Sequence, residues 1–187
     1  MARSLASLAF ASLGFPCLAL AGGPAAAADF RVTLPGHEAG IFAAEEYFDG
    51  FGCTGTNRPF DIVWSGAPAE TRSFAVSVYD PDAPTGSGWW HWIVADLPAG
   101  TTRLTTGADT GDRALPAGAV QVRNDYGKLG WGGPCPPVGE AHRYVFTVTA
   151  LKVDKLALPA DPSAALTGYM TRANALASAR ATLFGRR

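Results

Sequence analysis

The sequence predicts a mainly β domain that closes with a helix, and three observations carry that expectation. Two apolar runs, Ser73 to Tyr79 and Trp89 to Ala95, flank a stretch holding Asp80, Pro81, Asp82, Pro84, Gly86 and Gly88, which reads as strand, loop, strand. A third run, His142 to Leu151, sets His142, Tyr144, Phe146 and Val148 on one face by the two-residue period of a strand. Beyond Asp161 the period lengthens, with Leu166, Met170, Ala173, Ala177, Leu183 and Phe184 recurring at helical spacing.

At 187 residues, 48% hydrophobic and 17% charged, the chain is long enough for one filled core. A formal net charge of -1, with no cluster of Lys and Arg, argues against a nucleic-acid groove. Met1, Ala2 and Arg3 precede an apolar Ser4 to Leu20 and small residues up to Ala28, the layout of an export signal. Ala19, Leu20 and Ala21 form one A-x-A cleavage site and the alanines ending at Ala28 a second. We place the signal at residues 1–28 and the domain at 29–187. The apolar run is shorter than the ~20 residues a bilayer span needs, so a periplasmic or secreted protein is expected, without a transmembrane anchor.

Cys17 leaves with the signal. Cys53 and Cys135 remain, an even number in an oxidising compartment, and a disulfide between them is expected. It would close a loop of about 80 residues and stabilise the fold by roughly 4 kcal/mol. The alternative, Cys135 as a nucleophile near His142, lacks a surrounding thiol-enzyme signature.

In chain order, Phe30, Val32 and Leu34 alternate with Arg31 and Thr33 as a half-buried strand. Glu45 to Asn57 is turn-rich and puts Cys53 on a loop, Asp61 to Trp64 is a short strand, and Pro68 to Arg72 connects. Ser73 to Tyr79 is apolar on both faces and therefore buried on both. The return strand puts His91, Ile93 and Ala95 on one face and Trp90, Trp92 and Val94 on the other. After Leu97 and Pro98, until about Ala119, the chain reads as an exposed excursion with at most short hairpins. Gly127 to Gly139 holds five glycines and three prolines in thirteen residues, which excludes a helix or a central strand. It reads as a loop whose backbone N–H groups face a ligand. The closing helix starts with Asp161 as cap and Pro162 at its first position, and Gly185 stops it, with Arg186 and Arg187 suiting its negative end.

Asp80, Asp82, His91, His142, Tyr144 and the glycine-proline loop each sit where a strand meets a turn. Two imidazoles, a phenol and a nest of N–H groups suit an oxyanion such as phosphate or carboxylate. The aspartates would act indirectly, by orienting an imidazole so that its other nitrogen donates to the anion, or by accepting the turn's own N–H groups. Three other readings compete: an acid–base hydrolase using His91 with Asp80 or Asp82, a zinc site, and a protein inhibitor acting through its surface on a kinase or protease. No G-x-S-x-G elbow supports the hydrolase, since Ser87 sits in plain Gly86, Ser87, Gly88.

DPDAP at Asp80 to Pro84, HW at His91 and Trp92, and GPCPPVGEAHRYVF at Gly133 to Phe146 resemble the phosphatidylethanolamine-binding protein family, which includes Raf kinase inhibitor protein. The resemblance covers roughly Phe51 to Phe184 and is strongest to the bacterial branch, through FGCTG at Phe51, DPDAPTGSGWWHW and a GYM-containing helix. It implies a Greek-key sandwich of two packed antiparallel sheets with a C-terminal helix. It also implies a small anion pocket without cofactor or metal, whose positions match Asp80, Asp82, Pro84, His91, Tyr126, Gly133, Pro136, Pro137, His142 and Tyr144. Eukaryotic relatives bind phospholipid head groups there and inhibit kinases. The loop from Tyr126 to Pro136 is longer here and the spacer before His91 shorter, and an exported protein would not meet cytosolic kinases. The expected function is therefore a non-enzymatic binding protein for a small anionic ligand, with any protein partner unspecified.

Overall fold

The computed structural model describes residues 29–106 and 115–187. The signal expected at residues 1–28, with both cleavage sites, lies outside them, as does part of the excursion after Pro98. The strands are β1 (Arg31–Thr33), β2 (Asp49–Gly50), β3 (Cys53–Thr54), β4 (Asp61–Ser65), β5 (Ser73–Asp80), β6 (Trp89–Pro98), β7 (Arg103–Thr105), β8 (Val120–Val122), β9 (Ala141–Leu151) and β10 (Ala175–Arg186), with one helix, α1 (Ala164–Ala173).

A three-stranded sheet runs β1-β4-β7 and a five-stranded sheet runs β10-β9-β5-β6-β8, with β2-β3 as a separate hairpin. Within the larger sheet β5, β6 and β8 follow one another and β9 returns beside β5, the Greek-key order. All its pairs are antiparallel. Ile62, Trp64 and Leu104 of the small sheet close on Phe74, Val76, Val78, Trp92, Phe146 and Val148 of the large one in a single cluster. Fully burying each such side chain is worth about 1.5–3 kcal/mol. The sandwich implied by the resemblance is thus present, and its core is shared by both sheets.

β5 is buried on both faces over Ser73 to Val76. Its outer face there is covered by a second cluster in which Ala75 and Ala95 meet Leu151 and Leu156. α1 lies on the same outer face, with Ala164 against Ile93 and Val122.

The stretch after Pro98 is not wholly an exposed excursion: β7 pairs with β4 and buries Leu104 in the core. Two further sequence expectations need correction. The closing helix is shorter than expected: Ser163, not Asp161, caps it, its hydroxyl accepting Leu166 N–H at 3.1 Å, and it ends at Ala173. Ala175–Arg186 is a strand that pairs along β9, with Ala179, Leu183 and Gly185 buried and the alternate residues exposed. Alanine-rich sequence favours a helix by well under 1 kcal/mol per residue over ordinary alternatives. That preference loses to the ladder of hydrogen bonds that β9 would otherwise expose at a sheet edge.

His91 is the second correction. Val78 pairs with Trp92 and Tyr79 with Trp90, so His91 is an extra residue on β6. Such a bulge breaks the alternation. It turns His91 away from the face of Ile93 and onto the inner face beside Trp92, within a ring-centroid distance of 5.0 Å of Tyr144.

Candidate functional site

The bulge aims His91 at a cavity of ≈ 280 Å³ that opens between the ends of β5, β6 and β9 and the glycine-proline loop. Eight of the ten residues expected there line it: Asp80, Pro84, His91, Tyr126, Pro136, Pro137, His142 and Tyr144. A larger groove of ≈ 850 Å³ beyond Cys53 has no imidazole or carboxylate in its walls.

Asp80 is buried and fully engaged. Its Oδ1 accepts the N–H groups of Asp82 at 2.8 Å and Ala83 at 3.1 Å, and its Oδ2 faces His142 Nδ1 at 2.7 Å. The local turn and the orientation of an imidazole, read from sequence as alternatives, are both done by this one carboxylate. His142 Nε2 lies 2.9 Å from Glu140 Oε2. A carboxylate at each nitrogen favours the doubly protonated, charged ring. Burial opposes that charge, but Glu140 and Asp80 outweigh it and raise the pKa.

His91 is the opposite case. Its Nδ1 is 2.7 Å from the Gly132 carbonyl, which can only accept, so Nδ1 carries the hydrogen. Burial pushes its pKa down to about 4 against the pull of that carbonyl and of Asp80. At neutral pH the ring is uncharged.

Tyr126 donates to the Gly133 carbonyl at 3.0 Å and stacks on Phe48 at 4.0 Å between ring centres. Tyr144 is fully buried, and its hydroxyl has no hydrogen-bond partner of ordinary geometry; Cys135 N–H is the backbone donor beside it. Burial, with Asp80 adding to it, raises both phenols well above their usual range, so both stay protonated.

Asp82 and Gly133 do not line the cavity. Asp82 turns outward to Arg143, whose Nη2 donates at 2.6 Å, Nε at 2.9 Å and backbone N–H at 2.8 Å. Those bonds hold its carboxyl down to about 2. Gly133 is a packing residue: a Cβ there would lie 2.2 Å from the Glu46 carbonyl oxygen. Its N–H goes to Asn57 Oδ1 at 2.8 Å, and that of Gly132 to the His91 carbonyl at 3.1 Å. Of the loop residues that line the cavity, Cys135, Pro136 and Pro137, only Cys135 has an N–H, so the expected nest reduces to one donor.

Cys53 and Cys135 are bonded, which ties the β2-β3 hairpin to the loop and leaves no thiol at Cys135. Among the described residues no three His, Cys, Asp or Glu side chains gather as a metal site would require.

Several lining residues escaped sequence reading. Arg187 reaches the cavity with Nη1 3.0 Å from Cys53 Sγ and 3.2 Å from the Phe51 carbonyl, because β10 runs antiparallel to β9 and delivers it opposite Glu140, whose carbonyl accepts its N–H at 3.2 Å. Phe51, 72% exposed at φ 52, forms an apolar rim against Tyr126. Trp89, two residues before His91, completes the box around Tyr126 and was the one of these visible as a local signal. Gly185 lets Tyr144 pack, since a Cβ would approach its ring to 2.8 Å.

A family model described as phosphatidylethanolamine-binding protein matches residues 39–184. The chain is 50% identical over 161 residues to the UPF0098 protein YbcL of Escherichia coli (strain K12), covering 84% of this chain and 88% of that one. The crystal structure of E. coli YbcL, described as a new member of the mammalian PEBP family, superposes with a TM-score of 0.77 at 47% identity, covering 86% of this chain and 99% of that one. A putative phosphatidylethanolamine-binding protein homolog from Chlamydia trachomatis gives a TM-score of 0.69 at 26% identity, over 84% of this chain and 97% of that one. No helix of the described residues is long and apolar enough to cross a membrane. With the family model spanning most of the chain and YbcL matching nearly end to end, the chain belongs to the phosphatidylethanolamine-binding protein family.

Proposed function

We propose that this chain is an exported, non-enzymatic binding protein whose cavity takes a small anionic group, phosphate or carboxylate, including the head group of a phospholipid. The observation that carries this reading is Tyr144, which lines the cavity and whose hydroxyl is buried without a partner. A buried donor without a partner costs about 1–3 kcal/mol, and a bound oxyanion would recover it. Arg187 supplies a nearby positive charge, and Asp80 is masked by His142 and two turn N–H groups. Export is supported by the N-terminal signal pattern and by the paired cysteines.

The hydrolase reading loses ground because the buried Asp–His pair is Asp80 with His142, whose second nitrogen is taken by Glu140, while His91 is oriented by a carbonyl. The direct experiment is a titration with phosphoethanolamine followed by the imidazole resonances of His91 and His142. Saturable shifts in both are expected; no shift at millimolar ligand would refute the reading.

A further inference from the structure

A separate groove of ≈ 940 Å³ runs between α1 and the outer face of the five-stranded sheet, and it shares no wall residue with the anion cavity. Strand pairing lays its floor in rows. Arg180 sits opposite Thr147, and Thr147 opposite Ser77. The next row is Thr182, Val145, Tyr79 and Trp90. Neighbours within a row lie about 4.8 Å apart and the rows about 6.6 Å apart, so hydroxyls, a guanidinium and aromatic rings stand on one mesh. The rings of Tyr79 and Trp90 are 4.6 Å apart at 44°, and the Tyr79 hydroxyl is anchored on the Ser87 carbonyl at 2.8 Å. Tyr169, 68% exposed, adds a third ring from the helix side.

The charge of the groove is of one sign. Arg172 and Arg180 line it, no Asp or Glu does, and neither arginine forms an ion pair among the described residues. Thr149 and Ser178 bond each other at 3.0 Å. We propose that this groove is a second binding site, for an acidic oligosaccharide built of uronate pyranoses. The C–H faces of the sugar rings pack on Tyr79, Trp90 and Tyr169, and the sugar hydroxyls exchange hydrogen bonds with Ser77, Thr147 and Thr182. The carboxylates meet Arg172 and Arg180, whose planar forks match them in bidentate geometry. An acidic peptide would satisfy the arginines but bring no ring faces or hydroxyls to the rest of the floor. A second copy of this chain, docked groove to groove, would set arginine against arginine.

The test is calorimetric titration of the full domain at pH 7 with tetragalacturonate and a hyaluronan tetrasaccharide. Fully methyl-esterified tetragalacturonate serves as the neutral twin, and hexaglutamate as a polyanion without rings. At least one of the two uronate tetramers is expected to bind, at least about tenfold tighter than the ester or the peptide. Arg180 and Tyr169 are exposed, so their substitution leaves the core packing in place. Arg180→Gln should weaken the tetramer about tenfold, the worth of one charge-assisted hydrogen bond, and Tyr169→Ala about fivefold. Silence from both tetramers at millimolar concentration overturns the proposal. So does hexaglutamate or the ester binding as tightly, or tetramer binding that neither substitution weakens. Concentration-dependent dimerisation abolished by Arg180→Gln, without uronate binding, would make the face a self-interface and overturn it as well. None of these outcomes bears on phosphoethanolamine at the anion cavity.

Discussion

Tyr144→Phe separates a binding role from a scaffolding one, because the two predict opposite signs. The residue is fully buried, its hydroxyl is unpaired, and its ring packs edge-on to Phe42 at 5.2 Å and against His91 at 5.0 Å. Removing the oxygen keeps the ring contacts and removes an unsatisfied buried group whose desolvation costs about 1–3 kcal/mol. Allowing for the small void left behind, a net gain of about 1 kcal/mol is expected, which raises Tm by about 2–4 °C for a domain of this size. The same change removes a hydrogen bond to a charged ligand, worth about 1.5–3 kcal/mol, and so weakens phosphate binding about ten- to hundredfold. Scanning calorimetry and isothermal titration on one preparation read both quantities. A variant that melts lower and binds phosphate as the wild type does would show that the hydroxyl serves the scaffold, and the site would have to be sought elsewhere.

Replacing Cys53 and Cys135 together by alanine opens a cross-link between residues separated by 82 positions, for which loop entropy predicts a loss of about 4.5 kcal/mol, or a Tm lower by about 10–18 °C; a drop under about 4 °C would refute the entropic account. The two pocket histidines predict a stability maximum near neutrality. His91 resists protonation until about pH 4 when folded but takes a proton near 6.5 when unfolded, so stability falls by about 3 kcal/mol as pH drops across that window. His142 has the opposite sign: its raised pKa gives a contribution complete below about 6.5 and lost as pH rises through the folded value. Urea unfolding from pH 4 to 9 should lose its acid limb in His91→Gln and its alkaline limb in His142→Asn, and a wild-type profile flat between pH 4 and 6.5 would contradict the buried neutral imidazole.

Much of the site was legible because its residues lie at the ends of strands whose periodicity is local. Alternation put His142 and Tyr144 on one face of β9, and both are buried there. The Asp-Pro-Asp turn announced a carboxylate that binds its own backbone, as Asp80 does. Asp82 was misread because its partner, Arg143, stands 61 positions away and on the outer side of the sheet. The glycine-proline loop was read as a donor nest, whereas its glycines meet Glu46, Asn57 and the His91 carbonyl, contacts that composition cannot show.

By itself the sequence determined the positions of β5, β6 and β9, the cysteine pair and the family, since two-residue alternation, turn chemistry and an even cysteine count need no knowledge of neighbours. Tertiary structure alone decided three things: that Ala175–Arg186 is a strand, that His91 faces inward, and that Arg187 reaches the cavity. Each depends on what lies alongside. A helix preference of tenths of a kcal/mol per residue yields to an unpaired sheet edge, and a bulge is defined only against the strand it slips past.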